Sequence, residues 1–138
     1  MISKKLKYAL KALVEMVNEQ DQYAVASHIA ERANIPLKFL EQIMAVLKRG
    51  RLINSKQGSN GGYYFVKEPK DIKLAEVYRL IDGPIAIVPC ASLNFYERCA
   101  DCPSEKQCSI HAAAILLRDQ TLKVMEKINI HDMATGAF

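Results

Sequence analysis

Cys90, Cys99, Cys102 and Cys108 are the four cysteines of the chain, and they fall within nineteen residues of one another. Thiols spaced so closely belong to a metal, iron–sulfur or redox device unless the protein is exported. Three chemistries are open. Thiolates are soft, charged donors to iron, and a flexible loop lets three or four of them converge on an iron–sulfur cluster. Four thiolates could instead hold zinc tetrahedrally. Cys99 and Cys102, with two residues between them, could form a dithiol redox pair. No base and orienting acid stand at a recognisable spacing, and no nucleophile elbow is present, so no enzyme is expected. Met1-Ile2-Ser3-Lys4-Lys5 leads straight into a helical pattern and not into an apolar signal core. A disulfide framework is therefore not the expected use of the thiols, and a cytoplasmic location is. The apolar runs are too short to span a bilayer.

The elements that must position these thiols are mainly helical. Leu6, Leu10, Leu13 and Val17 recur at three- and four-residue steps, which predicts a helix from Lys4 to about Asn18 with Ser3 as its N-cap. Val25 to Ala33 reads as a short helix with a small-residue face, ended by Asn34. Pro36 to Arg49 reads as a third, with Leu40, Ile43, Met44 and Leu47 inward and Gly50 as its stop. Two helices joined by a tight turn, the second with long polar side chains outward, form a helix-turn-helix pattern. A strand over Arg51–Ser55, a glycine-rich turn over Lys56–Gly62 and a strand over Tyr63–Val66 make a two-stranded wing. That turn lacks the Gly-x-x-x-x-Gly-Lys-Ser/Thr pattern, which excludes a nucleotide loop.

Leu74 to Ile81 predicts another helix, ended by Asp82-Gly83-Pro84. The cysteine loop follows, and a long helix is predicted from near Ser109 to about Ile128. Its stripe of Ile110, Ala113, Ala114, Leu117, Thr121, Val124, Met125 and Ile128 is long for so small a domain, and its natural burial is against a second copy. The tail from His131 to Phe138 carries little signal, and His28 and His131 read as surface residues. The expected fold is thus mainly α: a winged helix-turn-helix over residues 1–83, a cysteine-rich sensor loop over 84–108, and a dimerisation helix with tail over 109–138.

Charge is unevenly placed. Residues 1–70 hold 12 Lys/Arg against 6 Asp/Glu, a net of +6, whereas residues 71–138 hold 7 against 9, a net of −2. A basic front half fits a nucleic-acid face, although many basic proteins bind no DNA. Lys38, Lys48 and Arg51 are candidates for phosphate contacts, which position a helix without reading bases.

An ordered set of short matches runs over most of the chain. It comprises Tyr8-Ala9-Leu10, Ile29-Ala30, Asn34-Ile35-Pro36, Phe39-Leu40-Glu41-Gln42-Ile43, Leu47, Gly50, Gly58, Gly61-Gly62-Tyr63, Pro69, Ile72 and Asp82-Gly83, followed by Cys102-Pro103 and Cys108. On these residues the chain resembles the Rrf-type family of bacterial winged-helix regulators. The resemblance implies a homodimer, a palindromic double-stranded operator, and control of iron–sulfur, nitric-oxide, iron or sulfur-metabolism genes. It puts Leu40-Glu41-Gln42 in the major groove, with Glu41 as a base-reading carboxylate that accepts from cytosine N4, and lets Tyr8 reach the DNA backbone. Several family members carry an arginine just before the first wing glycine. Gln57, preceded by Lys56, stands there in this chain and supplies no charged fork.

The resemblance also implies a [2Fe–2S] or [4Fe–4S] cluster. Cys102, Cys108 and His111 match the end of one ligand pattern of the family, and Cys90 stands where its three-cysteine members begin their loop. The implied ligands are Cys90, Cys102 and Cys108, with Cys99 or His111 as the fourth. Some members take a carboxylate from the partner's first helix, but Lys5-Leu6-Lys7-Tyr8 offers none. A cluster ranks above a thiol sensor, and a thiol sensor above structural zinc. A dimeric adaptor whose winged helix binds protein remains the alternative outside DNA binding, and Glu41 and the basic half argue against it.

Overall fold

The computed structural model describes residues 2–138. Helix α1 spans Lys4–Asn18, and the Ser3 hydroxyl oxygen caps it by accepting from the Leu6 amide at 2.9 Å. Helices α2 (Ala26–Ala33) and α3 (Leu37–Arg49) follow. Asn34 takes the turn between them at φ 54°, a left-handed conformation that asparagine tolerates better than most residues. Leu40, Ile43, Met44 and Leu47 of α3 are buried against Leu6 and Leu13 of α1 and Ile29 of α2. Each such side chain contributes roughly 1.5–3 kcal/mol by leaving water.

The wing is an antiparallel pair, β1 (Ile53–Lys56) and β2 (Gly62–Phe65), in the register Ile53↔Phe65 to Lys56↔Gly62. Ala24 adds a bridge on the far side of β2, where its amide and carbonyl each pair with Tyr63 at 2.8 Å. That close approach explains Gly62: a Cβ there would lie 2.6 Å from the Ala24 carbonyl oxygen.

Gly50 closes α3 as expected, but for a different reason. Its backbone is right-handed, and the position is small because Leu80 packs onto it. The left-handed residue is its neighbour Arg51, at φ 61°.

Helix α4 (Leu74–Ile81) leads into residues 82–108, whose regular structure is two single 3-10 turns, Pro89–Ala91 and Glu105–Gln107. Asp82 ties the end of α4 back to the start of α1, where it accepts from the Ser3 amide at 3.0 Å and from the Ser3 hydroxyl.

Helix α5 runs over Ser109–Met125 and stops three residues before the expected Ile128. Asn129 then caps a short helix, α6 (Ile130–Thr135), by accepting from the Asp132 amide at 2.8 Å. The tail that seemed featureless in sequence is therefore helical, and it packs on α1 with Ile130 fully buried in the main core. The expected apolar stripe of α5 is largely uncovered: Ile110, Leu117 and Val124 are 63%, 49% and 57% exposed, and Leu116 beside them is 64% exposed. Among the described residues no helix is long and apolar enough to cross a membrane.

Candidate functional site

The four thiols and His111 line one cavity of about 490 Å³ beside the start of α5. Cys90 sits in the Pro89–Ala91 turn, closed by Ala91 N–H to Val88 O at 3.1 Å and Ser92 N–H to Pro89 O at 3.0 Å. Cys99 to Cys102 form a tight turn in which the Cys102 amide donates to the Cys99 carbonyl at 3.2 Å, and Arg98 Nη2 donates to the Cys102 carbonyl at 3.1 Å. Cys108 is the N-cap of α5, where its sulfur accepts from the His111 amide at 3.4 Å.

His111 Nδ1 lies 3.3 Å from Cys90 Sγ. Burial pushes the Cys90 thiol above its usual range, and contact with Cys99 and the negative charge of Glu105 push the same way. Tyr96 donates its hydroxyl to Glu105, which bridges the two limbs of the loop and raises the phenol.

The structure thus places Cys90, Cys99, Cys102, Cys108 and His111 around one space. It sets Cys99 against both Cys90 and its turn partner Cys102. Among the described residues no three His, Cys, Asp or Glu side chains close on a point suited to a single metal ion. The donors encircle a volume instead, and they are mostly thiols. Thiols and an imidazole around one space are donors suited to iron–sulfur and to zinc chemistry alike.

The second surface is built on α3 and the wing. Lys38, Glu41, Gln42 and Lys48 are exposed on α3, and Arg51, Lys56 and Gln57 are exposed beyond it. Lys48 Nζ donates to Ser55 Oγ at 2.8 Å, tying α3 to β1. The Lys56 ammonium lies 5.2 Å from the centre of the Tyr23 ring, and Tyr23 meets Tyr64 edge-on at 5.7 Å.

Tyr8 is half-buried, edge-on to Phe39 at 5.5 Å, with the Lys4 and Lys11 ammoniums 5.6 and 5.8 Å from its ring centre. Its ring packs α1 onto α3 while cations rim its edge. The sequence reading left out two tyrosines of this surface. Tyr63 was legible within Gly61-Gly62-Tyr63; burial and the nearby Glu41 carboxylate raise its phenol. Tyr23 stands in a connection with no periodic signal to mark it.

A three-helix core with an exposed second helix and an adjacent two-stranded wing defines a winged helix-turn-helix protein, the architecture of DNA-binding transcriptional regulators. The model of the Rrf2 family, described as an iron-dependent transcriptional regulator, matches residues 2–136, and the chain belongs to that family.

The rrf2-like HTH-type transcriptional regulator of Rhodobacter capsulatus is 37% identical over 137 residues, which is 96% of this chain and 91% of that protein. The regulator IscR of Photorhabdus laumondii is 26% identical over 136 residues, 98% of this chain and 79% of its own. The solved structure of CymR, the global cysteine regulator of Bacillus subtilis, superposes with a TM-score of 0.74 at 26% identity, covering 98% of this chain and 96% of that one. The chain is thus a transcriptional regulator and not an enzyme.

Proposed function

We propose that this regulator reads a palindromic operator as a homodimer and senses iron–sulfur status, iron, nitric oxide or redox state through a cysteine-ligated iron–sulfur cluster. The observation that carries the sensing half is the convergence of four thiols and one imidazole on a single cavity at the start of α5. The iron-dependent description of the family and the relatedness to IscR support the same reading.

Cys90, Cys102 and Cys108 are the proposed ligands. His111 and Cys99 compete for the fourth place, and both line the cavity. When bound, the cluster supplies chemistry sensitive to oxygen, nitric oxide and iron supply. The chain's own residues supply the position: Cys108 and His111 are fixed to α5, Cys90 lies on its flank, and Cys99 and Cys102 sit on an outer turn. A change at the cavity therefore acts directly on α5, whose exposed apolar face is the proposed dimer contact.

On the DNA side, Glu41 and Gln42 read bases in the major groove, while Lys38, Lys48, Arg51 and Lys56 contact phosphates. Tyr8 and Gln57 flank this surface. Residues 1–83 form the reader, 84–108 the sensor loop, and 109–138 the dimerisation helix with a tail that returns to the reader.

A second reading rests on the Cys90–His111 and Cys90–Cys99 contacts, which also suit a thiol switch, and the likeness to a cysteine regulator supports it. Anaerobic purification with a visible spectrum and assays of iron and acid-labile sulfide separates the two. Broad visible absorbance with near-stoichiometric sulfide is expected. A colourless protein lacking both, even after anaerobic reconstitution, would overturn the cluster in favour of the thiol switch.

A further inference from the structure

Cys90 is the thiol furthest in sequence from α5 among the proposed ligands, yet it is the buried one. Its short turn has no strand or long helix to brace it. What holds the turn is a side chain from the middle of α5. Arg118 Nη1 donates to the carbonyl of Ala91 at 2.6 Å. Ala91 is fully buried, and among the described residues no backbone amide reaches that carbonyl. An unpaired carbonyl at the end of a turn, shut away from water, is costly, and a charged donor is the strongest available partner. The guanidinium is itself oriented. Its Nε and Nη2 both donate to Asp119 Oδ1, at 2.9 and 2.7 Å, and its side chain is only 13% exposed.

Arg118 lies seven residues after His111, two helical turns along the same face. Ala114 lies between them with no exposed surface, and its small side chain lets the turn approach the helix. The Cys90 turn is thus gripped at two points: His111 at the sulfur and Arg118 at the next carbonyl. Among the described residues the Cys99–Cys102 limb has no comparable side-chain bond to α5.

We propose that Arg118 is the positioning residue for Cys90, fastening the first thiol of the sensor loop to α5 independently of the other three. Arg118 touches no ligand atom. It acts by setting where the Cys90 backbone stands, and it makes the site asymmetric, with Cys90 alone fastened to the middle of α5.

The test is competitive alkylation of the metal-free, reduced protein by iodoacetamide, read by mass spectrometry as the rate at Cys90 relative to Cys102. In Arg118→Ala that ratio rises about tenfold, the opening expected when one charge-assisted hydrogen bond is lost. Arg118→Lys, which keeps one charged donor but not the fork, restores part of the protection. An unchanged ratio in Arg118→Ala overturns the proposal. A parallel rise at Cys90, Cys102 and Cys108 does so too, because it marks general loosening of the fold. The role in sensing rests on the cluster reading, and there the reconstituted Arg118→Ala protein is expected to release iron to a chelator faster than wild type. Absence of iron and sulfide in the wild-type protein would remove that last consequence and leave the alkylation result standing.

Discussion

The proposed DNA-facing charges of α3 and the wing set how operator binding would depend on salt. Lys38, Lys48, Arg51 and Lys56 are exposed on this face, four cations per subunit. The proposed homodimer on a palindrome would present eight. Each phosphate neutralised releases counterions, so the logarithm of the association constant falls against the logarithm of salt with a slope of about −7. Between 50 and 200 mM salt, that slope weakens specific binding about twenty-thousandfold.

Lys56→Ala removes two of the eight cations and brings the slope to about −5, with a loss across that salt range nearer two-thousandfold. Its cation–π contact with Tyr23 is exposed and worth only about 0.5–1 kcal/mol, so the fold tolerates the change. Glu41→Ala behaves differently. It leaves no fewer cations, keeps the slope, and relaxes discrimination at one base position by about 1–3 kcal/mol. Fluorescence anisotropy of a labelled operator, titrated at four or five potassium chloride concentrations, measures all three proteins. A wild-type slope near zero would refute the phosphate-facing role of this surface and favour a protein-binding winged helix. An unaltered slope in Lys56→Ala would take the wing out of the contact.

Three further outcomes test the architecture. Ile130→Ala, in the tail helix, lowers unfolding stability by roughly 2–5 kcal/mol in urea titration, as deletion of a fully buried side chain does; a loss below half a kcal/mol would detach α6 from the core. Gly62→Ala forces a Cβ into the Ala24 carbonyl and lowers stability by roughly 1–3 kcal/mol, with the wing amides nearest Tyr63 losing hydrogen-exchange protection first. Leu117→Glu places a charge on the exposed face of α5, and sedimentation at micromolar concentration then finds a monomer with unchanged helix content. A dimer surviving that change would move the contact elsewhere.

The parts legible in sequence are those with repeated local signals. Helix α1 shows four apolar positions on one face and a serine cap, and its bounds match the reading. α3 announces itself by Leu40, Ile43, Met44 and Leu47. Helix α6 has only six residues, too few for a periodic stripe, and its one signal was Asn129 three residues before Asp132. Gly50 stops α3 as read, but through its small size, which admits Leu80, a partner thirty residues on, and not through a left-handed turn. In the site, the cysteines and His111 were legible as candidates because their types are rare and chemically narrow. Their arrangement was not. The Arg118–Ala91 bond joins a side chain to a backbone carbonyl twenty-seven residues away, and such a bond leaves no trace in residue type at either end. The Cys90–Cys99 contact arises from how the loop folds, and the spacing alone favoured Cys99 with Cys102.

The return of α6 to α1 sets the order in which the molecule can be finished. α1 leaves the ribosome well before α6, and Ile130 completes a core that Leu6 and Leu13 begin. Between the two lie all four cysteines and α5. A nascent chain therefore cannot complete its helix-turn-helix core until residues 82–108 and α5 have been synthesised. A chain interrupted before Asn129 leaves α1 with an uncovered apolar flank, the kind of surface that quality-control proteases act on. A chain cut short there lacks the completed core, whichever of its other elements have folded.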